Sequence, residues 1–463
     1  MKVFGKILFN ISLTFFMLLS AGVFAKSVRV NSVESFEKAQ KLVNSGDSVV
    51  WEGGKFYDVN MKLTTNNIFF VAENPGETTF SGSSTLEISG NGNTVSGFQF
   101  VDGEIKGEVI DIFGSENNIQ QINIKSYDSH FYLRIRPSCQ YNLVSYCNFE
   151  SKPETQESSV VQVEATEGLP GYHLISYCSF KNHTAPPGAG GDYGIEALRI
   201  GYSFQAEFIS RTIVEYCYFT KCNGDGEIVS NKARENIFRY NTFENNGDSH
   251  FTLRHGKDNV IYGSFFLNGA GIRIKEGQNQ MVYNNYFQTG ERFSIMLVNY
   301  KVDPLENIII ANNTFVGSGN FQLGSEGDFK PVKVEIVNNL FLNPVESIIS
   351  EPTGTERFAG NIAIGTSEQL PDGFNKRDIN YEENKYGLFQ VKEDENLSQF
   401  VCADYNELLD IPILEDDPNI LLDIMKQKRS ISKRSTIGCF IPNENIDLKP
   451  YVTDNNTGPD YLK

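Results

Sequence analysis

The stretch Asn142-Leu-Val-Ser-Tyr-Cys-Asn-Phe149 returns as His173-Leu-Ile-Ser-Tyr-Cys-Ser-Phe180 and again as Thr212-Ile-Val-Glu-Tyr-Cys-Tyr-Phe219. It continues in Asn236-Ile-Phe-Arg-Tyr-Asn-Thr-Phe243, then in residues 259–266, 280–287, 307–315 and 334–341, each closed by Phe. The closing Phe residues stand 31, 39, 24, 23, 21, 28 and 26 positions apart. A period in the low-to-mid twenties with longer excursions marks stacked coils that carry loops on one side. The segments are short and β-branched, and no sustained 3.6-residue pattern interrupts them. The spacing predicts an all-β, single-domain, right-handed parallel β-helix.

Two places before each closing Phe stand Cys147, Cys178, Cys217, Asn241, Ser264, Asn285, Asn313 and Asn339. Equivalent positions of successive coils lie about 4.8 Å apart. These residues are therefore expected to form an interior ladder of small thiols passing into hydrogen-bonded amides. The seven cysteines of the chain then read as small buried groups and not as a disulfide framework.

A solenoid must cover its ends. Residues 31–43 read as a capping helix, with Asn31 as N-cap, Glu34 three residues later, and Val33, Phe36, Leu42 and Val43 on one face. The N-terminal cap is placed at 26–50. From about Thr366 the repeat fades, charge rises, and Leu408–Lys428 mixes apolar with acidic residues. Residues 366–463 read as an irregular C-terminal cap, so the β-helix domain spans 26–463.

Residues 1–25 read as an export signal. Lys2 and Lys6 precede an apolar run from Ile7 to Leu19, small residues follow at Ala21 and Gly22, and Val23-Phe24-Ala25 reads as the cleavage site. The run is short for a membrane span, and no later segment resembles one. A periplasmic or extracellular protein is expected. The formal charge of −18 excludes a nucleic-acid binder, which needs clustered Lys and Arg. It also requires any polyanionic ligand to meet a local basic cleft. Five histidines without zinc-ligand spacing leave no His-based metal site.

Such a cleft is written into consecutive coils. Charges crowd short strands at Glu196-Ala-Leu-Arg199, Asp225-Gly-Glu227, Asn231-Lys232, Arg254-His255 and Arg273-Ile-Lys275. Alternate strand residues share a face, so Asp225 and Glu227 project together, as do Arg273 and Lys275. Stacked like charges repel and lose solvation, which marks a binding or catalytic site.

At these residues the chain resembles the polysaccharide lyase family that contains alginate lyases and chondroitinase B. The likeness runs through Glu196-Ala-Leu-Arg-Ile-Gly, Gly226-Glu-Ile-Val-Ser-Asn-Lys232, Thr252-Leu-Arg-His-Gly256, Gly271-Ile-Arg-Ile and Asn284-Asn-Tyr-Phe287. The resemblance implies β-elimination on an acidic polysaccharide, alginate before dermatan or chondroitin sulfate. It makes Lys232 the catalytic base and Arg254 its partner acid, with Arg273 contacting substrate. Arg199, Lys275, His255 and Asn231 complete the expected substrate-binding set. Glu196, Asp225 and Glu227 fall where the family binds calcium. Tyr193 stands where relatives commonly have Asn, and Asp225 where they have Glu.

Elementary chemistry agrees with that assignment. The C5 proton of a uronate is weakly acidic until the neighbouring carboxylate is neutralised, by a hard cation or by arginines. A base lysine must be neutral, and nearby positive charge favours that form. A guanidinium hardly deprotonates, so Arg254 suits charge stabilisation at the leaving oxygen. Two other classes remain at this point. A β-helix glycoside hydrolase of the pectinase kind would draw on Asp192, Glu196, Asp225 and Glu227 but leaves the cations unused. A non-catalytic carbohydrate-binding solenoid would bind without turnover.

Overall fold

The computed structural model describes residues 25–153, 158–189, 191, 193–298, 305–319, 321–325, 330–345, 347–392, 422–429 and 437–463. The export-signal segment up to residue 24, Asp192, and residues 408–421 of the expected cap lie outside them.

Among the described residues the strands form three long parallel sheets of 14, 12 and 14 strands. Between the first and last coils each strand pairs with its counterpart one circuit on, so the chain visits the sheets in turn and climbs one coil per circuit. This is the expected right-handed parallel β-helix. Every sheet sends alternate residues inward, and the interior is lined with Val, Ile, Leu and Phe.

The closing phenylalanines stack as one column. Ring centroids of Phe149, Phe180, Phe219, Phe243, Phe266, Phe287, Phe315 and Phe341 follow one another at 4.5 to 5.1 Å. Beside them runs the ladder. The amide oxygen of Asn285 accepts the main-chain N–H of Ser264, and Asn313 and Asn339 each do the same for the ladder residue one coil before. Their Nδ2 groups donate to the carbonyls of Ile261, Val282 and Ile310 at 2.9 to 3.0 Å. Each buried amide thus satisfies main-chain groups that a turn leaves unpaired. Cys147, Cys178 and Cys217 occupy the earlier rungs as buried, free cysteines.

The doubled asparagines have a backbone cause. Asn284, Asn312 and Asn338 take φ of 54°, 54° and 56°, just before the rungs Asn285, Asn313 and Asn339. Asn enters the left-handed region more easily than most residues. The first Asn of each pair makes the bend, and the second forms the rung.

A second ladder was not anticipated. Asn93, Asn117 and Asn142 accept successive main-chain N–H groups, and His173 Nδ1 accepts that of Asn142. Asn236, Asn259 and Gln280 continue it beyond Thr212. Six of these residues open the repeated phrase, so the signal was present at its first position.

Both ends differ from expectation. The helix is Val33–Gln40, and its N-cap is Ser32 and not Asn31, because Ser32 and Ser35 close a reciprocal capping box. Ser27–Val30 and Ser48–Trp51, inside the segment read as cap, already pair as strands of the first sheet. Phe36 of the helix covers the core end, 4.7 Å from Phe70.

At the other end the coils continue to Phe374–Lys376, followed by an antiparallel hairpin at Tyr381–Glu383 and Phe389–Val391. Residues 437–463 do not plug the end. They run back along the solenoid, with Gly438 N bonded to Asn338 O, Thr242 Oγ1 to Val452 O, and Gly458 N to Tyr177 O. Tyr461 reaches the carbonyls of Phe98 and Gln121. Lys426 is held over the rings of Tyr216, Tyr240 and Tyr451 at 4.5 to 5.1 Å. The tail is a strap, because the solenoid side presents turn carbonyls and tyrosine faces that it can bond.

Candidate active site

The second sheet carries the charged cluster on its outer face. Gln162, Arg199, Ser230, Thr252 and Arg273 are in direct register on successive strands. Asn231 pairs with Leu253. The residues that follow, Lys232 and Arg254, therefore leave equivalent points of adjacent coils.

Glu227 opens its strand at a register shift between Glu227 and Val229. Bulges of this kind re-aim side chains beside functional sites. Here Glu227 Oε1 accepts from Arg254 Nη1 at 2.9 Å and from Arg273 Nη2 at 2.7 Å. Asp225 accepts the main-chain N–H of Gly194 at 2.8 Å and of Glu227 at 2.9 Å. Arg199 lies 3.6 Å from Glu196 and donates to Gln162 at 2.6 Å. Its guanidinium sits 5.0 Å from the centre of the Tyr202 ring. Gln162 and Tyr202 carry no sequence signal of their own. They are recognised only by where the coils place them.

Electrostatics divide the three carboxylates. Burial raises Asp225 to about 7, with the Glu196 charge adding to it. Burial also raises Glu196, against Arg199 and Lys232. Burial pushes Glu227 upward too, but Arg254 and Arg273 outweigh it and hold that carboxyl below its usual range. Lys232 is 8% exposed, enclosed by the neighbouring coils. Burial lowers its amine; Glu196 opposes that shift, while Arg199 and Arg254 add to it. A neutral amine is thereby favoured.

The ligand oxygens of Glu196, Asp225 and Glu227 lie within 4.8 Å of one another. Glu196 Oε2 and Glu227 Oε2 are buried without a hydrogen-bond partner. Buried anionic oxygens with open lone pairs suit a hard cation. The residues fit such an ion.

The remaining expected residues separate. Arg273 and Lys275 face outward in the cluster, and burial, then Arg254 and Arg273, lowers Lys275. His255 lies beside Arg254 with Nδ1 3.0 Å from Glu276. Asn231, expected to meet substrate, is buried and faces inward. Its amide donates to Ala233 O at 3.1 Å and accepts from Asn236 at 2.9 Å. Strand alternation puts it on the core side, where it ties the strand end to the second ladder.

The family model of chondroitinase B matches residues 30–362. Among solved structures the chain is similar to the PL6 family alginate lyase AlyGC, at 24% identity and a TM-score of 0.71. That match covers 82% of this chain and 57% of AlyGC. A mannuronic acid specific family 6 lyase from human gut microbiota matches at 24% identity and a TM-score of 0.67, covering 77% and 92% of the two chains. The PL6 family polysaccharide lyase Pedsa3628 from Pseudopedobacter saltans matches at 18% identity and 0.58, covering 93% and 99%. These likenesses carry the fold. No curated protein sequence matches the chain.

Proposed function

The chain belongs to the chondroitinase B family, and from that premise we propose that it is a polysaccharide lyase. Its substrate is an acidic, uronate-containing polymer, alginate before dermatan or chondroitin sulfate. One observation carries the reading: a buried lysine with a lowered amine pKa stands one coil from an arginine anchored on a buried carboxylate. A hydrolase has no use for that pair.

Lys232 takes the C5 proton of the uronate. The electrons of the broken C–H bond form the C4–C5 double bond, and the C4–O bond breaks. The leaving oxygen takes a proton delivered through water, and Lys232 returns its proton to solvent, while Arg254 stabilises the charge that develops at that oxygen. Arg199 and Arg273 meet the substrate carboxylate and lower the barrier to proton removal. Glu196, Asp225 and Glu227 would hold calcium. Bound there, the ion would neutralise carboxylate charge beside the reacting carbon.

Two of the carboxylates a hydrolytic reading would draw on are already engaged. Glu227 is committed to two arginines and Asp225 to two main-chain amides. Export to the periplasm or medium belongs to the proposal and rests on residues 1–25. No helix among the described residues is long and apolar enough to cross a membrane. The test is incubation with alginate, its mannuronate and guluronate blocks, and dermatan sulfate while ultraviolet absorbance is followed. Unsaturated uronate product is expected. Saturated product would mean hydrolysis, and binding without product would mean a carbohydrate-binding solenoid.

A further inference from the structure

Arg136, Glu164, Gly201, Lys232, Arg254 and Lys275 each follow a paired strand residue of the second sheet. They form one column parallel to the solenoid axis. On the C-terminal side of Lys232 the column is cationic, through Arg254 and Lys275. On the N-terminal side it is different. Gly201, with φ of 76°, contributes no side chain and therefore no charge, and the next residue is Glu164.

Glu164 belongs to a closed network. Its Oε1 accepts from Arg134 Nε at 2.6 Å and Nη2 at 2.5 Å, and Arg134 also donates to Glu108 at 2.7 Å. Arg136 is held by both oxygens of Asp111 at 2.7 and 2.8 Å and by Glu108 at 3.2 Å. Two guanidinium groups face three carboxylates, so the network is formally negative. Arg134 directs Nε, Nη1 and Nη2 to carboxylates, and Arg136 directs Nε and Nη2.

We infer that Glu164 and its network close the polymer-binding cleft on its N-terminal side. A polyuronate carries one carboxylate on every sugar, and successive coils offer one column position about every 4.8 Å, comparable with one sugar. The bound chain therefore runs from Gly201 past the Lys232 amine to Arg254 and Lys275, where its carboxylates meet cations. A further sugar beyond Gly201 brings its carboxylate against Glu164, and like charges in juxtaposition exclude it. The lyase then cuts at a short, fixed distance from one end of its substrate. This inference rests on the polyuronate lyase reading.

Reducing-end-labelled oligouronates of graded length test it. The wild-type protein should give one dominant cut at the same distance from one end, whatever the length. Glu164→Gln removes the repelling charge and uncovers Arg134. It should move the cut inward by one sugar and raise kcat/KM for the longest oligomers about three- to fivefold. Glu164→Asp keeps the charge and should keep the wild-type cut position and kcat/KM for the longest oligomers. Cuts scattered along wild-type substrates, an E164Q pattern identical to wild type, or an E164D pattern that matches E164Q would overturn the inference alone. Absence of unsaturated product from every uronate would overturn the lyase reading, and this inference with it.

Discussion

Arg273 and Glu227, two coils apart in the second sheet, meet at 2.7 Å across 46 residues of sequence. Arg254 donates to the same oxygen from the coil between them. The Glu227 side chain is fully buried. One carboxylate thereby aligns two guanidinium groups that would otherwise repel each other over the cleft.

Removing that anchor should be costly twice. Breaking a buried ion pair from one side leaves uncompensated charge, typically about 3–5 kcal/mol. Glu227→Ala should lose stability on that order in a denaturant titration. Turnover should fall about 10²-fold as the arginines lose alignment. An unchanged denaturation midpoint would show that the pair does not anchor the sheet.

Lys232→Ala should lose about two to four orders of magnitude of turnover. Lys232→Arg should do almost as badly, since arginine keeps its proton at neutral pH. Arg254→Ala should also be severely impaired, and the double mutant should be little worse than either single. The lowered Lys232 amine fixes the pH dependence. The protonated amine cannot accept a proton, so activity should rise with pH through a midpoint below 10.5. A flat pH–rate profile would remove Lys232 from the role of base.

Rigorous chelation should lower activity, and added calcium should restore it. Glu196→Gln should weaken calcium binding measured by calorimetry on the purified protein, a readout independent of turnover. Full activity with no measurable calcium binding would assign carboxylate neutralisation to Arg199 and Arg273.

Asn285 bonds to four neighbours through Nδ2 and Oδ1: Ser264, Ile261, Tyr283 and Asn313. Asn285→Leu leaves those buried groups unpaired and should cost about 1–3 kcal/mol. An unchanged melting temperature would contradict its place as a rung. Mass spectrometry of the unfolded, alkylated protein should find Cys147, Cys178 and Cys217 reduced.

His173 makes the second ladder acid-sensitive. Burial lowers its pKa from 6.5 to about 4. A depressed pKa means the neutral ring contributes stability that is complete above pH 6.5 and lost as pH falls toward 4. The stake is on the order of 3 kcal/mol. His173→Asn restores an amide like those at Asn117 and Asn142, so its acid-unfolding midpoint should shift to lower pH. An identical midpoint would place the acid-sensitive group elsewhere.

Much of the site was legible because strands carry alternating residues at fixed intervals. Lys232, Arg254 and Arg273 stand at strand ends or on outward positions, and their charge density needs no coordinates to be noticed. Asn231 was expected to meet substrate, but its place on the inward face of the strand, among Ala233 and Asn236, is visible only in the folded coil. The burial of Lys232 by neighbouring coils has no signature in the local sequence. Gln162 and Glu164 look ordinary in sequence. They gain meaning only when the register brings Arg199 and Arg134 against them.

By itself, the sequence determined the coil period, the phenylalanine column, the first amide and thiol ladder, and which coils carry charge. These are local patterns that repeat, and each repeat faces the same packing problem. The tertiary structure alone decided which charges converge. Loops of different length separate the rungs, so spacing does not reveal that Arg254 and Arg273 close on one oxygen of Glu227. It also decided that the tail runs back as a strap, since its partners are main-chain carbonyls and tyrosine faces scattered from Phe98 to Asn338. Such contacts depend on the assembled surface, and no periodicity in the chain encodes them.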